Sequence, residues 1–337
     1  MRIAHLSVTP CAGAISALSS AIRDFTEHGS RWICTSGSVN NLRFEEDVLW
    51  QDTAQCGILA RCDFMVFHNG SSPRVFAPPI EPMRDYLLGD PSKRIAYFHH
   101  SHPDACAGLA AESEGLRCFV PAQYQATLWK DCVPVRGVVR FDRSDFPKRK
   151  DRGDGKVRIG YAPTFRESQN GREPGSAAWY HCKGFDVTVP VLAKLAQARK
   201  DVEFTLIEGL PYDMAMEVKS SCDILIDEVV TGSYHRSTLE ALALGIPAVV
   251  NISPEVHGVM VRAAGANDIP VVHATAETLE ERLLWLIGMK KDARRELGAS
   301  GRDWMVRHWH PQDIARRFCA DLAEVGTEAR GLSAHRG

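Results

Sequence analysis

The chain has 337 residues, of which 45% are hydrophobic and 24% charged, and its formal net charge is −2. That length exceeds one ordinary core and suits two domains of about 150 residues each, and the composition is that of a globular protein without long disorder. The balance of charge gives no global field; it speaks against a nucleic-acid partner without excluding one and leaves local contact with a membrane surface open.

The first half reads as buried strands separated by turns and helical patterns. "RIAHLSV" is strand-like and leads into the turn "TPCAGA", where Gly13 either lets the backbone approach a phosphate or simply serves a strand-to-helix turn. "ISALSSAIRDFTEHG" has helical spacing and a Gly stop. "RWICTS", "DFMVFHN", "RIAYFHH", "RCFVPA" and "VPVRGVV" follow as strands. His68 and Asn69 end one of them, as acceptor contacts or as packed side chains. "YFHHSHPD" carries His99, His100 and His102; three histidines suggest a metal, but no carboxylate or Cys at ligand spacing supports one.

From Val139 to Lys156 the chain is charged, with Pro147 and Gly153, and reads as a boundary. Its cations Lys148, Arg149, Lys150, Arg152, Lys156 and Arg158, interrupted by Asp151 and Asp154, read as a solvated linker rather than a polyanion site. The pattern then restarts. "VRIGYAP", "VEFTLIEG", "DILIDEV", "PAVVN" and "PVVHA" are strand-like, and "FDVTVPVLAKLAQAR", "YDMAMEVKSS" and "AETLEERLLWLIGM" are helical. Strands alternating with helices argue for parallel sheets covered on both faces, hence two Rossmann-like domains, 1–150 and 151–310, with ligands beyond the carboxyl ends of the strands and a cleft between the domains. "PQDIARRFCADLAEV" closes the chain with an amphipathic helix over 311–325, and 326–337 reads as a loose tail.

The ten cysteines show no C-x-x-C, so neither a zinc knuckle nor a thioredoxin-type motif is expected. Most are flanked by apolar residues and read as free buried thiols of a reducing compartment. With no signal peptide expected and no apolar run approaching about 18 residues, the expected location is cytoplasmic.

Glu240 stands among Leu239, Ala241, Leu242, Ala243 and Leu244. One explanation is a capping box, with Ser237 as N-cap and Glu240 reaching back. The other is a ligand-binding acid on a helix that begins near Ser233, since a buried carboxylate without a partner is expensive.

"DILIDEVVTGSYHRSTLEALALGIPAVVN" resembles the signature of GT-B glycosyltransferases of the retaining, Leloir type, and the resemblance extends over roughly Val157 to Val325. It implies that Glu240 holds the ribose hydroxyls of a nucleotide-sugar, since a carboxylate accepts two hydrogen bonds from a diol selectively. It also implies that Arg166 and Lys183 bind the pyrophosphate and take part in catalysis, that the turn Glu208 to Asp213 holds the base, and that His100 touches the donor sugar. Surface cations are the alternative for Arg166 and Lys183. Tyr234, His235 and Arg236 fall near a helix N-terminus, which suits phosphate. Gly232-Ser233-Tyr234 is similar to a bacterial branch with Gly-x-Tyr where the family's first acid stands; Glu228 or His235 would have to replace that acid. The final helix is expected to cross back onto the first domain, with Trp304 and Trp309 either anchoring it or serving the core.

The expected function is transfer of a sugar from a UDP- or GDP-sugar to an unidentified glycan, lipid or small molecule bound mainly by residues 1–140. No cofactor is expected and, since no D-x-D occurs, no metal. A sugar-nucleotide epimerase on the same scaffold and a non-catalytic nucleotide-sugar binder are the rivals.

Overall fold

The computed structural model describes residues 1–9, 11–34, 48–49, 58–69, 94–106, 113, 116–163, 166 and 170–333. The chain divides into two compact units: Met1–Pro121, Leu128–Val138 and Pro311–Gly337 form the first, Ala122–Thr127 and Val139–His310 the second.

In the first unit the described elements are β1 (Arg2–Ser7), α1 (Ala14–Phe25), β2 (Gly29–Cys34), β3 (Val48–Leu49), α2 (Ile58–Arg61), β4 (Phe64–His68), β5 (Arg94–Phe98), β6 (Arg117–Pro121) and β7 (Val133–Val135); α3 (Gln125–Leu128), between β6 and β7 in the chain, counts with the second unit up to Thr127. All seven strands are parallel, in the order β3-β2-β1-β4-β5-β6-β7. Strands in such a sheet are covered on both faces, which is why β1 and β4 are apolar runs rather than alternating ones. Ala4, Leu6, Ile33, Met65, Phe67 and Tyr97 form the buried core. Of the stretch "VPVRGVV" only Val133–Val135 pairs in the sheet; β7 is its last strand, and the chain leaves it at Arg136.

In the second unit the elements are β8 (Val157–Tyr161), α4 (Ala177–His181), α5 (Phe185–Ala198), β9 (Val202–Leu206), α6 (Tyr212–Ser220), β10 (Ile224–Ile226), α7 (Arg236–Leu244), β11 (Ala248–Val250), α8 (Pro254–Ala264), β12 (Val272–His273), α9 (Leu279–Gly288) and α10 (Lys291–His308). Its five strands are parallel, in the order β12-β11-β10-β8-β9. The core gathers Val157, Ile159, Ile224, Ile226, Val249 and the helix residues Leu192, Leu195, Leu283 and Leu286. Helix α7 lies tightly on α10: a Cβ at Gly298 would sit 2.1 Å from the carbonyl oxygen of Gly245, so only glycine permits this contact. Trp304 and Trp309 belong to this packing, stacked at 5.4 Å, with the Trp304 indole N–H donating to the Asp268 carbonyl. The charged segment carries surface ion pairs, Lys150 with Glu217, Lys156 with Glu203 and Asp151 with Lys291, but Arg158 and Arg149 are largely buried, Arg149 against Asp223 and the Gly245 carbonyl, so the segment is not simply a solvated linker.

Helix α11 (Pro311–Ser333) belongs to the first unit, where Phe318 packs against Phe119 at 4.9 Å and His5 at 5.9 Å. It continues to Ser333, well past the point at which the Gly- and Ser-rich composition suggests a tail.

The strand order reverses between β1 and β4 in the first unit and between β8 and β10 in the second. The carboxyl ends of those four strands are where a doubly wound sheet leaves room for a ligand.

Candidate functional site

In the second unit, Tyr161 ends β8 and its hydroxyl donates to the carbonyl of Lys183 at 2.9 Å, fixing the turn that enters α5. The Lys183 side chain is buried and its Nζ donates to Oδ1 of Asp227 at 3.0 Å. Asp227 directly follows β10. Its Oδ2 accepts from the His235 backbone N–H at 2.5 Å and from the Thr238 hydroxyl at 2.7 Å. His235 makes no side-chain cap of its own, so Asp227 caps α7 from a neighbouring strand. Burial pushes the Asp227 carboxyl up, but Lys183, His235 and Thr238 outweigh it and hold it well below the usual carboxylate range. Burial and the Lys183 charge keep the His235 imidazole below its ordinary value.

Helix α7 starts at neither place that the sequence suggests. Its N-cap is His235, and Ser237 lies inside the first turn, accepting from Lys219 Nζ at 3.2 Å instead of from a helix amide. The capping box is therefore not formed. Glu240, only 2% exposed, is neutralised by cations: Oε2 accepts from Lys219 Nζ at 2.5 Å and Oε1 from Arg236 Nε at 2.9 Å. The Arg236 guanidinium also donates to the Tyr212 hydroxyl at 3.1 Å and lies over the Tyr212 ring at 4.9 Å. Burial disfavours the Glu240 charge, and the two cations more than offset it, so its carboxyl stays below the usual range. Two cations face one carboxylate, leaving an excess positive charge.

Glu228 is fully buried and accepts from the backbone N–H groups of Val230, Thr231 and Ser233 at 3.0, 2.6 and 3.1 Å. It organises the turn before α7, and its oxygens are occupied by that task. Gly232 sits in this turn at φ 75°, where a Cβ would come within 3.2 Å of the Ser253 Cβ. An acid at this position would take up a strained left-handed backbone and press on Ser253.

The other expected residues separate. Arg166 is exposed, paired with Glu208 and 5.8 Å from the Phe185 ring at the start of α5, so it shares that helix end with Lys183. Of the loop between Arg166 and Lys183, the described part holds a short helix, α4, capped by Ser176, with Tyr180 stacked on Tyr124 at 3.7 Å. Tyr234 is fully buried, and its hydroxyl donates to the Ala122 carbonyl at 2.6 Å, so its polar atom is spent on the fold.

In the first unit, Gly13 is the N-cap of α1 at φ 74°, preceded by Cys11 and Ala12 at φ 45° and 53°. This left-handed run, uncommon without glycine, lies at the carboxyl end of β1. His100 follows β5; its Nε2 is 2.9 Å from Nδ1 of His68, whose Nε2 is in turn 2.9 Å from Nδ1 of His5, a chain of three imidazoles. Burial pushes the His100 imidazole down to about 3, so the ring is neutral at ordinary pH. Asn69 donates to the Ser101 hydroxyl at 2.6 Å.

Sequence reasoning missed Asp227 and Lys219, and it named Tyr212 only within the turn Glu208 to Asp213. Asp227 had a signal, an acid ending an apolar strand; Lys219 had none, since it sits in an ordinary amphipathic pattern.

No protein-family model matches the sequence, and no curated protein sequence does. Solved structures do match across nearly the whole chain. A glycosyltransferase from Rickettsia africae is 13% identical with a TM-score of 0.59, covering 97% of this chain and 99% of that one. Anabaena HepE in complex with UDP-glucose is 10% identical with a TM-score of 0.59, covering 96% of this chain and 100% of that one. A UDP-N-acetylglucosamine 2-epimerase is 11% identical with a TM-score of 0.51, covering 95% and 94%. The chain is thus an α/β protein of two parallel, Rossmann-like sheets, with the fold of the GT-B glycosyltransferase structures.

Proposed function

We propose that the chain is a glycosyltransferase that draws its sugar from a nucleoside-diphosphate sugar held by the second unit. The observation that carries this reading is the set of charges at the start of α7. Lys183, Asp227 and His235 stand at the carboxyl ends flanking the β8–β10 reversal, next to the Lys219–Glu240–Arg236 cluster with its excess positive charge. Cleaving a glycosyl–phosphate bond leaves negative charge on the diphosphate, and pre-placed cations in a buried setting stabilise it at little reorganisation cost. Lys183, Arg166 and Arg236 take that role, which makes a cation held by D-x-D unnecessary for transfer.

Glu240 takes the ribose. Each of its oxygens holds one cation, and an ionised carboxylate has lone pairs to spare. Arg236, whose side chain is more exposed than that of Lys219, gives way to admit the diol. In the first unit we assign Gly13 and His100 to the remaining substrate contacts, on the resemblance and on their places after β1 and β5. Transfer with retention rests on the resemblance.

The test is a mass-spectrometric screen of nucleotide-sugars, beginning with UDP-glucose because the similar Anabaena HepE was crystallised with it. Free nucleotide with hydrolysed or transferred sugar supports a transferase. An isomerised sugar nucleotide supports the epimerase reading, which the epimerase structure of the same fold favours. Silence with every donor leaves a binding protein.

A further inference from the structure

The first unit holds a second cluster of chemical groups, which begins at His99, the chain neighbour of His100. Tyr97 of β5 lies opposite Cys118 of β6, and Phe119 lies opposite Val133 of β7, which places Cys132 beside Cys118. His99 is two residues beyond Tyr97. Side chains two apart along a strand share a face, so parallel register brings His99, Cys118 and Cys132 to one side of the sheet. One ring nitrogen of His99 and the two Sγ atoms lie within 4.8 Å of one another. The His99 ring is held flat against Trp129, with centroids 4.1 Å apart and planes 4° from parallel. It is 1% exposed, and its Nε2 is buried without a hydrogen-bond partner. A polar atom left unpaired in that way costs free energy unless something binds it.

We propose that His99, Cys118 and Cys132 bind one zinc-class metal ion, with water as the fourth ligand. Two thiolates and one imidazole are a soft donor set that selects Zn2+ over Mg2+ or Ca2+. Tetrahedral zinc with bonds of about 2.0–2.3 Å sets its ligands about 3.5–3.8 Å apart. The three side chains reach that spacing by closing about an ångström at most. Both thiols release their protons when the ion enters, so binding strengthens as pH rises. The ion staples three adjacent strands where the sheet ends in the three-residue strand β7, which lacks a further partner strand among the described residues. We assign it a structural place: His99 stacks on Trp129, while its neighbour His100 bonds to His68.

The experiment uses the full chain, purified under reducing conditions and incubated with zinc, then desalted. Elemental analysis should find one zinc per chain, and Co2+ in its place should show thiolate-to-cobalt charge transfer. Zinc should raise the melting temperature of the wild type and leave that of the double variant Cys118→Ser, Cys132→Ser unchanged. His99→Ala should keep the charge-transfer band and weaken binding at least about tenfold. A wild type without stoichiometric metal, or a double variant that retains it, overturns the proposal. So does loss of two thiols to a disulfide in air with no metal bound at any stage.

Discussion

Lys219 Nζ lies 2.5 Å from Oε2 of Glu240, and both side chains are shut away from solvent inside an otherwise apolar layer. Breaking such a pair from one side costs about 3–5 kcal/mol, because the partner is left as an uncompensated charge. Glu240→Gln strands Lys219 and Arg236 together, so stability falls by about that amount in denaturant unfolding. A loss of nucleotide affinity in this variant therefore proves nothing by itself. The double variant Lys219→Met, Glu240→Leu separates the two effects. With Lys219 no longer stranded its stability recovers in part, since only Arg236 has lost its carboxylate, while nucleotide binding measured by calorimetry stays weak if Glu240 takes the ribose. Recovered binding returns Glu240 to a purely structural role.

Gly232→Glu restores the acid that the resemblance expects. The backbone there is at φ 75°, and the Cβ meets Ser253 at 3.2 Å. A left-handed conformation costs a non-glycine residue about 1–2 kcal/mol. The variant should lose at least that much stability and gain no affinity for a sugar nucleotide over the free nucleotide. A gain in sugar affinity would show that the turn can rearrange around the acid.

The layers of this fold were legible because parallel strands buried on both faces leave short apolar runs, as in "DFMVFHN" and "DILIDEV", between amphipathic helices. Lys183 and Glu240 were singled out by the motifs around them. Their partners were not. Lys219 is 21 residues from Glu240, and only the packing of α6 on α7 brings them together. The Ser237-x-x-Glu240 pattern fits a capping box locally, but Asp227, across the sheet end, supplies the cap and moves the helix start to Arg236. His99, Cys118 and Cys132 match no spacing rule, because strand register and not chain distance joins them.

Two adjacent carboxyls should give opposite pH dependences. Burial raises Glu228 from 4.5 to about 7, ahead of the amide hydrogen bonds that lower it. Between those values the native state keeps a proton that the unfolded chain has lost, so stability falls as pH rises from 4.5 to 7, by about 3 kcal/mol. Asp227 is held well below 3.8, so its contribution is fully present above that value and is lost as pH falls below it. Urea unfolding across this range should show the decline toward neutral pH in the wild type. Glu228→Gln should flatten it. An unchanged slope in that variant would assign the decline to other groups.

Lys183→Ala and Arg166→Ala should differ in kind. Lys183 is buried against Asp227, so its removal costs several kcal/mol of stability as well as donor binding. Arg166 is exposed and paired with Glu208 at the surface, so its loss should change stability by no more than about 0.5 kcal/mol. Its effect should fall on turnover, as expected of a cation that meets the leaving diphosphate. Normal turnover in Arg166→Ala, with donor saturating, would make Arg166 a surface cation only.

The last expectation concerns what the donor is held by. In the proposed reading Lys183, Arg236 and Glu240 hold the nucleotide diphosphate. The acid that would grip the sugar is absent at Gly232, and Glu228 is consumed by three backbone amides. His235 turns its backbone N–H to Asp227 and keeps a neutral ring, so it offers the sugar no charge. Binding should therefore be dominated by the nucleotide diphosphate, with the sugar adding little in the ground state. That suits a catalyst, because contacts to the sugar made only in the transition state raise turnover rather than affinity. Titrating free UDP and its sugar ester against the same preparation should give dissociation constants within about tenfold of each other, about 1.4 kcal/mol. If the ester binds a hundredfold tighter, a residue outside this set grips the sugar, and His100 is the first to replace.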